Sequence, residues 1–94
     1  MPCLHLSLTG RVQGVGLRWA VRRYCQQAGL AGWVKNERTG AVSMLVAGNQ
    51  AELDRLLAWL KQSPAAIRVD NIICEPTTVE VKPGFFIKHS WTWL

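Results

Sequence analysis

Leu4, Leu6 and Leu8 alternate with His5, Ser7 and Thr9, the period of a strand with one buried face. From Trp19 to Ala28 the pattern changes to a helical mixture, with Ala20, Tyr24 and Arg22, Arg23 and Gln27 interleaved. Gly29 stands where such a helix would stop. Leu30–Asn36 and Ala41–Ala47 read as two further strands. The turn Glu37-Arg38-Thr39-Gly40 between them makes a hairpin. Asn49 is a helix cap, with Glu52 three residues on completing a capping box. The apolar stripe of that second helix is Leu53, Leu56, Leu57 and Leu60, flanked by Ala58 and Trp59, and Ser63-Pro64 ends it. Ile67–Glu75 reads as a fourth strand, and Phe85–Lys88 as a short fifth strand after a Lys82-Pro83-Gly84 turn.

The order is therefore βαββαβ plus a short final strand. It predicts an α+β sandwich, two helices on one face of a four- to five-stranded, mainly antiparallel sheet. A strand–helix–strand unit makes its two strands parallel, so the first and second strands end at the same sheet edge. The 94 residues make a single domain over 1–94, near the low end of the usual size range. With 49% hydrophobic residues the chain can build one small core. No run of about 18 apolar residues would span a membrane. Met1-Pro2-Cys3-Leu4-His5 lacks the basic start and apolar stretch of a secretory signal. Cys3, Cys25 and Cys74 form neither a metal-ligand spacing nor an even disulfide framework. Free thiols in a cytoplasmic protein are the expectation, although Cys3 and Cys74 would come within reach of each other if their strands adjoin.

Between the first strand and the first helix stands Gly10-Arg11-Val12-Gln13-Gly14-Val15-Gly16-Leu17-Arg18. Glycines in such a connection tolerate the positive φ angles that let backbone N–H groups converge on an anion. The following helix adds unpaired N–H groups and the positive end of its dipole. Arg18 supplies a planar, permanent cation. Neither familiar nucleotide loop fits. No Gly-Lys-Ser/Thr follows, and Trp19 stands where the dinucleotide fingerprint requires its third glycine. Taken alone, the glycine pattern fits a plain tight connection equally well.

A second stretch decides between these. Gly32-Trp33-Val34-Lys35-Asn36 leads to Gly40-Ala41-Val42 and on to Gly48. With Gly10-x-Val12-Gln13-Gly14-Val15-x-x-Arg18, the chain closely resembles the acylphosphatase family from Leu4 to about Lys88. The resemblance implies a ferredoxin-like fold and hydrolysis of acyl phosphates to a carboxylate and inorganic phosphate. It implies a phosphoryl group held by Arg18 and the loop N–H groups of Val12, Gln13, Gly14, Val15, Gly16 and Leu17. Asn36 would position the attacking water through its amide. No cofactor or metal is implied. The substrate is a small acyl phosphate, the product is inorganic phosphate, and the expected state is a monomer. The side chains of Arg11 and Gln13 are expected to shape the loop rather than touch substrate. His5 and His89 are given no catalytic role, and the five tryptophans are assigned to packing.

Two departures from the family pattern stand out. Leu17 occupies a position that is usually aromatic, and should pack beneath the loop. At the other end, Phe85-Phe86-Ile87-Lys88 matches the family's final stretch with His89 in place of an aromatic, which leaves Ser90–Leu94 as an extra tail. A fifth strand beside the second would direct that tail toward the catalytic rim, with Trp91 or Trp93 bordering the site or a dimer contact.

Eleven Lys and Arg against six Asp and Glu make the chain basic. Arg11, Arg18, Arg22, Arg23, Lys35 and Arg38 cluster within or beside the two motifs, where they would attract anionic substrates. The competing reading is a non-catalytic phosphate-, anion- or RNA-binding module on the same layout. RNA-recognition domains stack bases on aromatics of the central strands, whereas Ala41–Ala47 contains none. Nucleic acid is therefore not the expected partner.

Overall fold

The computed structural model describes residues 1–14, 16–62 and 67–88. The strands are β1 (Cys3–Arg11), β2 (Ala31–Asn36), β3 (Val42–Ala47), β4 (Arg68–Pro76) and β5 (Phe85–Lys88). The helices are α1 (Leu17–Ala28) and α2 (Gln50–Lys61). One five-stranded sheet has the order β4-β1-β3-β2-β5. β3 pairs antiparallel with both β1 and β2, so these two point the same way, and β5 lies parallel to β2. This is the layout expected from the pattern, two helices over a mainly antiparallel sheet, and it is ferredoxin-like as the resemblance implies.

Both helices lie over one face. Leu17, Val21 and Cys25 of α1 and Leu53, Leu56 and Leu60 of α2 meet Leu6, Leu8, Val34, Val42, Met44, Val46 and Phe85 in the core. Truncating any of these leucines to alanine would cost about 2–5 kcal/mol. Among the described residues, the buried apolar cluster on the opposite face is Cys3, Leu45 and Ala47, with Trp33 and Val81 packed against them. The central strand β3 is buried along its whole length, which explains why its sequence runs apolar instead of alternating.

Asn49 caps α2 as expected, its Oδ1 accepting from the Glu52 N–H at 2.8 Å. The reciprocal half of the box is not formed, because the Glu52 carboxylate pairs with Arg55 one turn on. The strands of Cys3 and Cys74 do adjoin, yet no bond links them. Cys74 stands opposite Leu6, on the helix side, while Cys3 points to the other face. All three thiols are free, and burial pushes that of Cys25 up to about 12. Ser63-Pro64 and the tail with Trp91 and Trp93 lie outside the described residues.

Candidate active site

Because β1 and β2 share a direction, the loop leaving β1 and the end of β2 meet at one rim. The loop is built by its glycines. Gly14 and Gly16 have φ of 71° and 80°, and open space surrounds the point where a side chain would begin at each. Glycine is needed there for backbone angle, not for room. Gly16 is the N-cap of α1. It offers no side chain to the helix N-terminus, and the first turn carries no acidic residue. The end of the helix, with its free N–H groups and positive dipole, is therefore left to an external anion. Leu17 is 2% exposed and anchors this turn in the core, the packing expected of a residue beneath the loop.

Val12, Gly14, Gly16, Leu17, Arg18, Trp19 and Asn36 together line a cavity of about 140 Å³. That is room for a tetrahedral anion with a water beside it. Arg18 is partly buried and has no salt-bridge partner among the described residues, so its charge is uncommitted. Asn36 is the last residue of β2. Its Oδ1 is buried and lacks a hydrogen-bond partner among the described residues, a costly condition that a bound group relieves.

Gln13 does something different. Its Nε2 donates to the carbonyls of Glu37 at 2.6 Å and Ala41 at 2.8 Å. Those carbonyls also accept from Gly40 N–H and Glu37 N–H, closing the β2–β3 turn. The loop is thus clamped to the turn that follows Asn36. Below the clamp, Ser43 Oγ donates to Glu37 Oε1 at 2.6 Å and Lys35 Nζ lies 3.4 Å from the same oxygen. The Ser43 hydroxyl foremost, helped by the Lys35 charge, holds the Glu37 carboxyl below its ordinary range.

Of the residues expected to touch phosphate, Val12, Gly14, Gly16, Leu17 and Arg18 line the cavity, and Asn36 joins them from eighteen positions away. The Gln13 side chain turns to the clamp, and Val15 lies outside the described residues. Trp19, expected to serve core or surface packing, is 62% exposed and also forms part of the wall. Its place directly after Arg18 was the only available signal. Among the described residues no group of three or more His, Cys, Asp or Glu could hold a metal ion, and no helix is long and apolar enough to cross a membrane.

Comparison with known proteins shows the family. The acylphosphatase family model matches residues 4–87. An acylphosphatase of Koribacter versatilis is 45% identical over 85 residues, covering 89% of this chain and 77% of the relative. The crystal structure of acylphosphatase from Bacillus subtilis superposes with a TM-score of 0.88 at 31% identity, covering 94% of this chain and 99% of that one. An acylphosphatase structure from Coxiella burnetii gives 0.86 at 33% identity, covering 93% and 92%. The chain belongs to the acylphosphatase family. Its class is accordingly that of a small phosphohydrolase.

Proposed function

We propose that the chain hydrolyses acyl phosphates with Arg18 and the 12–17 loop as phosphoryl cradle and Asn36 as water holder. An acyl phosphate is a mixed anhydride whose leaving group is already a good carboxylate, so no general acid is required. Catalysis then rests on charge neutralisation and alignment. The Arg18 guanidinium and the backbone N–H groups at the start of α1 take the phosphoryl oxygens. Asn36 Oδ1 accepts a hydrogen bond from water and aims its lone pair at phosphorus. The water oxygen bonds to phosphorus as the bond from phosphorus to the acyl oxygen breaks. The electron pair leaves on the carboxylate, and the water's proton passes to a phosphate oxygen, since a neutral amide is too weak a base to keep it.

The observation that carries this reading is the buried Asn36 Oδ1, without a hydrogen-bond partner among the described residues, in the same cavity as Arg18. The reading needs no metal and no second subunit, and we take the working form to be a monomer in the cytoplasm. The three free thiols suit that compartment. The test is turnover of acetyl phosphate and benzoyl phosphate in the presence of a strong chelator. Wild type should hydrolyse both, and Arg18→Ala should lose about 10³-fold or more in kcat/KM, the scale of a transition-state arginine. A folded wild type without turnover would refute the activity, and turnover surviving Arg18→Ala would refute the site.

A further inference from the structure

Trp19 belongs to two adjoining depressions. One is the phosphoryl cradle. The other is a groove of about 290 Å³ lined by Trp19, Arg22, Phe86 and Ile87, between α1 and the edge strand β5. Trp19 and Phe86 are 62% and 55% exposed. A single exposed aromatic needs no explanation, but two in one groove that opens beside a charged cavity have the make-up of a ligand site. The Arg22 guanidinium lies 5.8 Å from the centre of the Trp19 ring, a cation–π contact that braces the indole in place.

The geometry of displacement gives this groove a use. In-line attack sends the leaving carboxylate away from the incoming water. Asn36 lines the cradle but not the groove, so the groove is open space next to the cradle that the water-holding side chain does not occupy. We propose that the Trp19–Ile87 groove is the subsite for the acyl group, and that it selects acyl phosphates bearing an aromatic ring or a long apolar body. The assignment rests on the cradle being the phosphoryl site. A ring stacked on Trp19 and Ile87 removes apolar surface from water, and an acetyl group has far less of that surface to bury.

The experiment compares kcat/KM for benzoyl phosphate and acetyl phosphate in wild type, Trp19→Ala and Trp19→Phe, with circular dichroism to confirm folding. Trp19 is exposed, so its truncation opens no core cavity. The benzoyl-to-acetyl ratio is expected to fall about five- to tenfold in Trp19→Ala, the scale of one aromatic contact, and to recover largely in Trp19→Phe. Equal losses on both substrates would make Trp19 a wall of the cradle only and overturn the subsite. An unchanged ratio would overturn it as well. A wild type that turned over neither substrate would remove the phosphoryl reading, and the subsite with it, which separates the two failures.

Discussion

The two halves of the catalytic rim are made in opposite ways. The half proposed to hold the phosphoryl group, drawn from Val12 to Arg18, is contiguous in sequence and shaped by glycine backbone angles and one helix end. The half proposed to hold the water is a single side chain, Asn36, whose position depends on β1, β3 and β2 pairing in register. On the proposed reading, charge comes from a short contiguous segment and alignment from the whole sheet. Substitutions in the first half should weaken the hold on phosphate itself. Those in the second should slow the reaction of a phosphate that is still bound.

Asn36→Ala is the strongest way to break that division. It removes the water's acceptor and touches no phosphoryl ligand. Its kcat should fall about 10²-fold, the scale of one preorganised hydrogen-bonding group. Competitive inhibition by inorganic phosphate should shift by less than about twofold. Steady-state kinetics with phosphate as inhibitor checks both. A matching loss of phosphate affinity would mean that Asn36 is part of the cradle and that the two halves do not divide the work.

The same contrast explains what the sequence disclosed. Local features were legible: the strand period of Leu4, Leu6 and Leu8, the Gly29 stop, the Asn49 cap, the glycine loop and its arginine. The resemblance carried Asn36 to the site, and topology explained how a residue eighteen positions from Arg18 could share its cavity. What did not show was what non-local packing decides. Nothing in the order Arg18-Trp19-Ala20 tells which way the indole points; the groove beside β5 that Trp19 helps to line forms only in the folded chain. Cys3 and Cys74 illustrate the converse. Strand adjacency was foreseeable, but the face each thiol takes follows from the β1–β4 register, which no local pattern encodes.

Gln13 joins the halves, and its replacement should give a smaller, mixed effect. Gln13→Leu deletes two donors from partly buried carbonyls that keep one other partner each. We expect a loss of about 1–2 kcal/mol in stability, or about 4–15 °C in melting temperature for a domain of this size. The accompanying loss in kcat should be about tenfold. Gln13→Glu should do worse than Leu at neutral pH, since a carboxylate would face two carbonyl oxygens with nothing to donate. Thermal melts and kinetics of both variants test the clamp. Full stability in Gln13→Glu would show that the carbonyls are not held by this side chain.

The smallest effect sharpens the comparison most, because it separates the turn's electrostatics from its geometry. Ser43→Ala removes the hydroxyl that chiefly keeps the Glu37 carboxyl below its ordinary value of 4.5, leaving Lys35 as its remaining close partner. The Glu37 titration should therefore move up toward that value, as read by NMR of its carboxyl carbon. The sign for stability follows from linkage. A carboxyl with a depressed folded-state pKa contributes stability above its unfolded pKa and loses it as pH falls through the folded value. Wild type should thus melt above Ser43→Ala at neutral pH and lose that margin as pH falls through the folded value, the two converging in strong acid as far as Glu37 is concerned. Glu37 is partly exposed, so the difference should be modest. Activity at neutral pH should barely change, because Gln13 grips the turn by its backbone carbonyls and not by the Glu37 carboxylate. A loss of kcat comparable to that of Gln13→Leu would show instead that the carboxylate, through Ser43 and Lys35, sets the position of Asn36, and that alignment at this rim is electrostatic as well as topological.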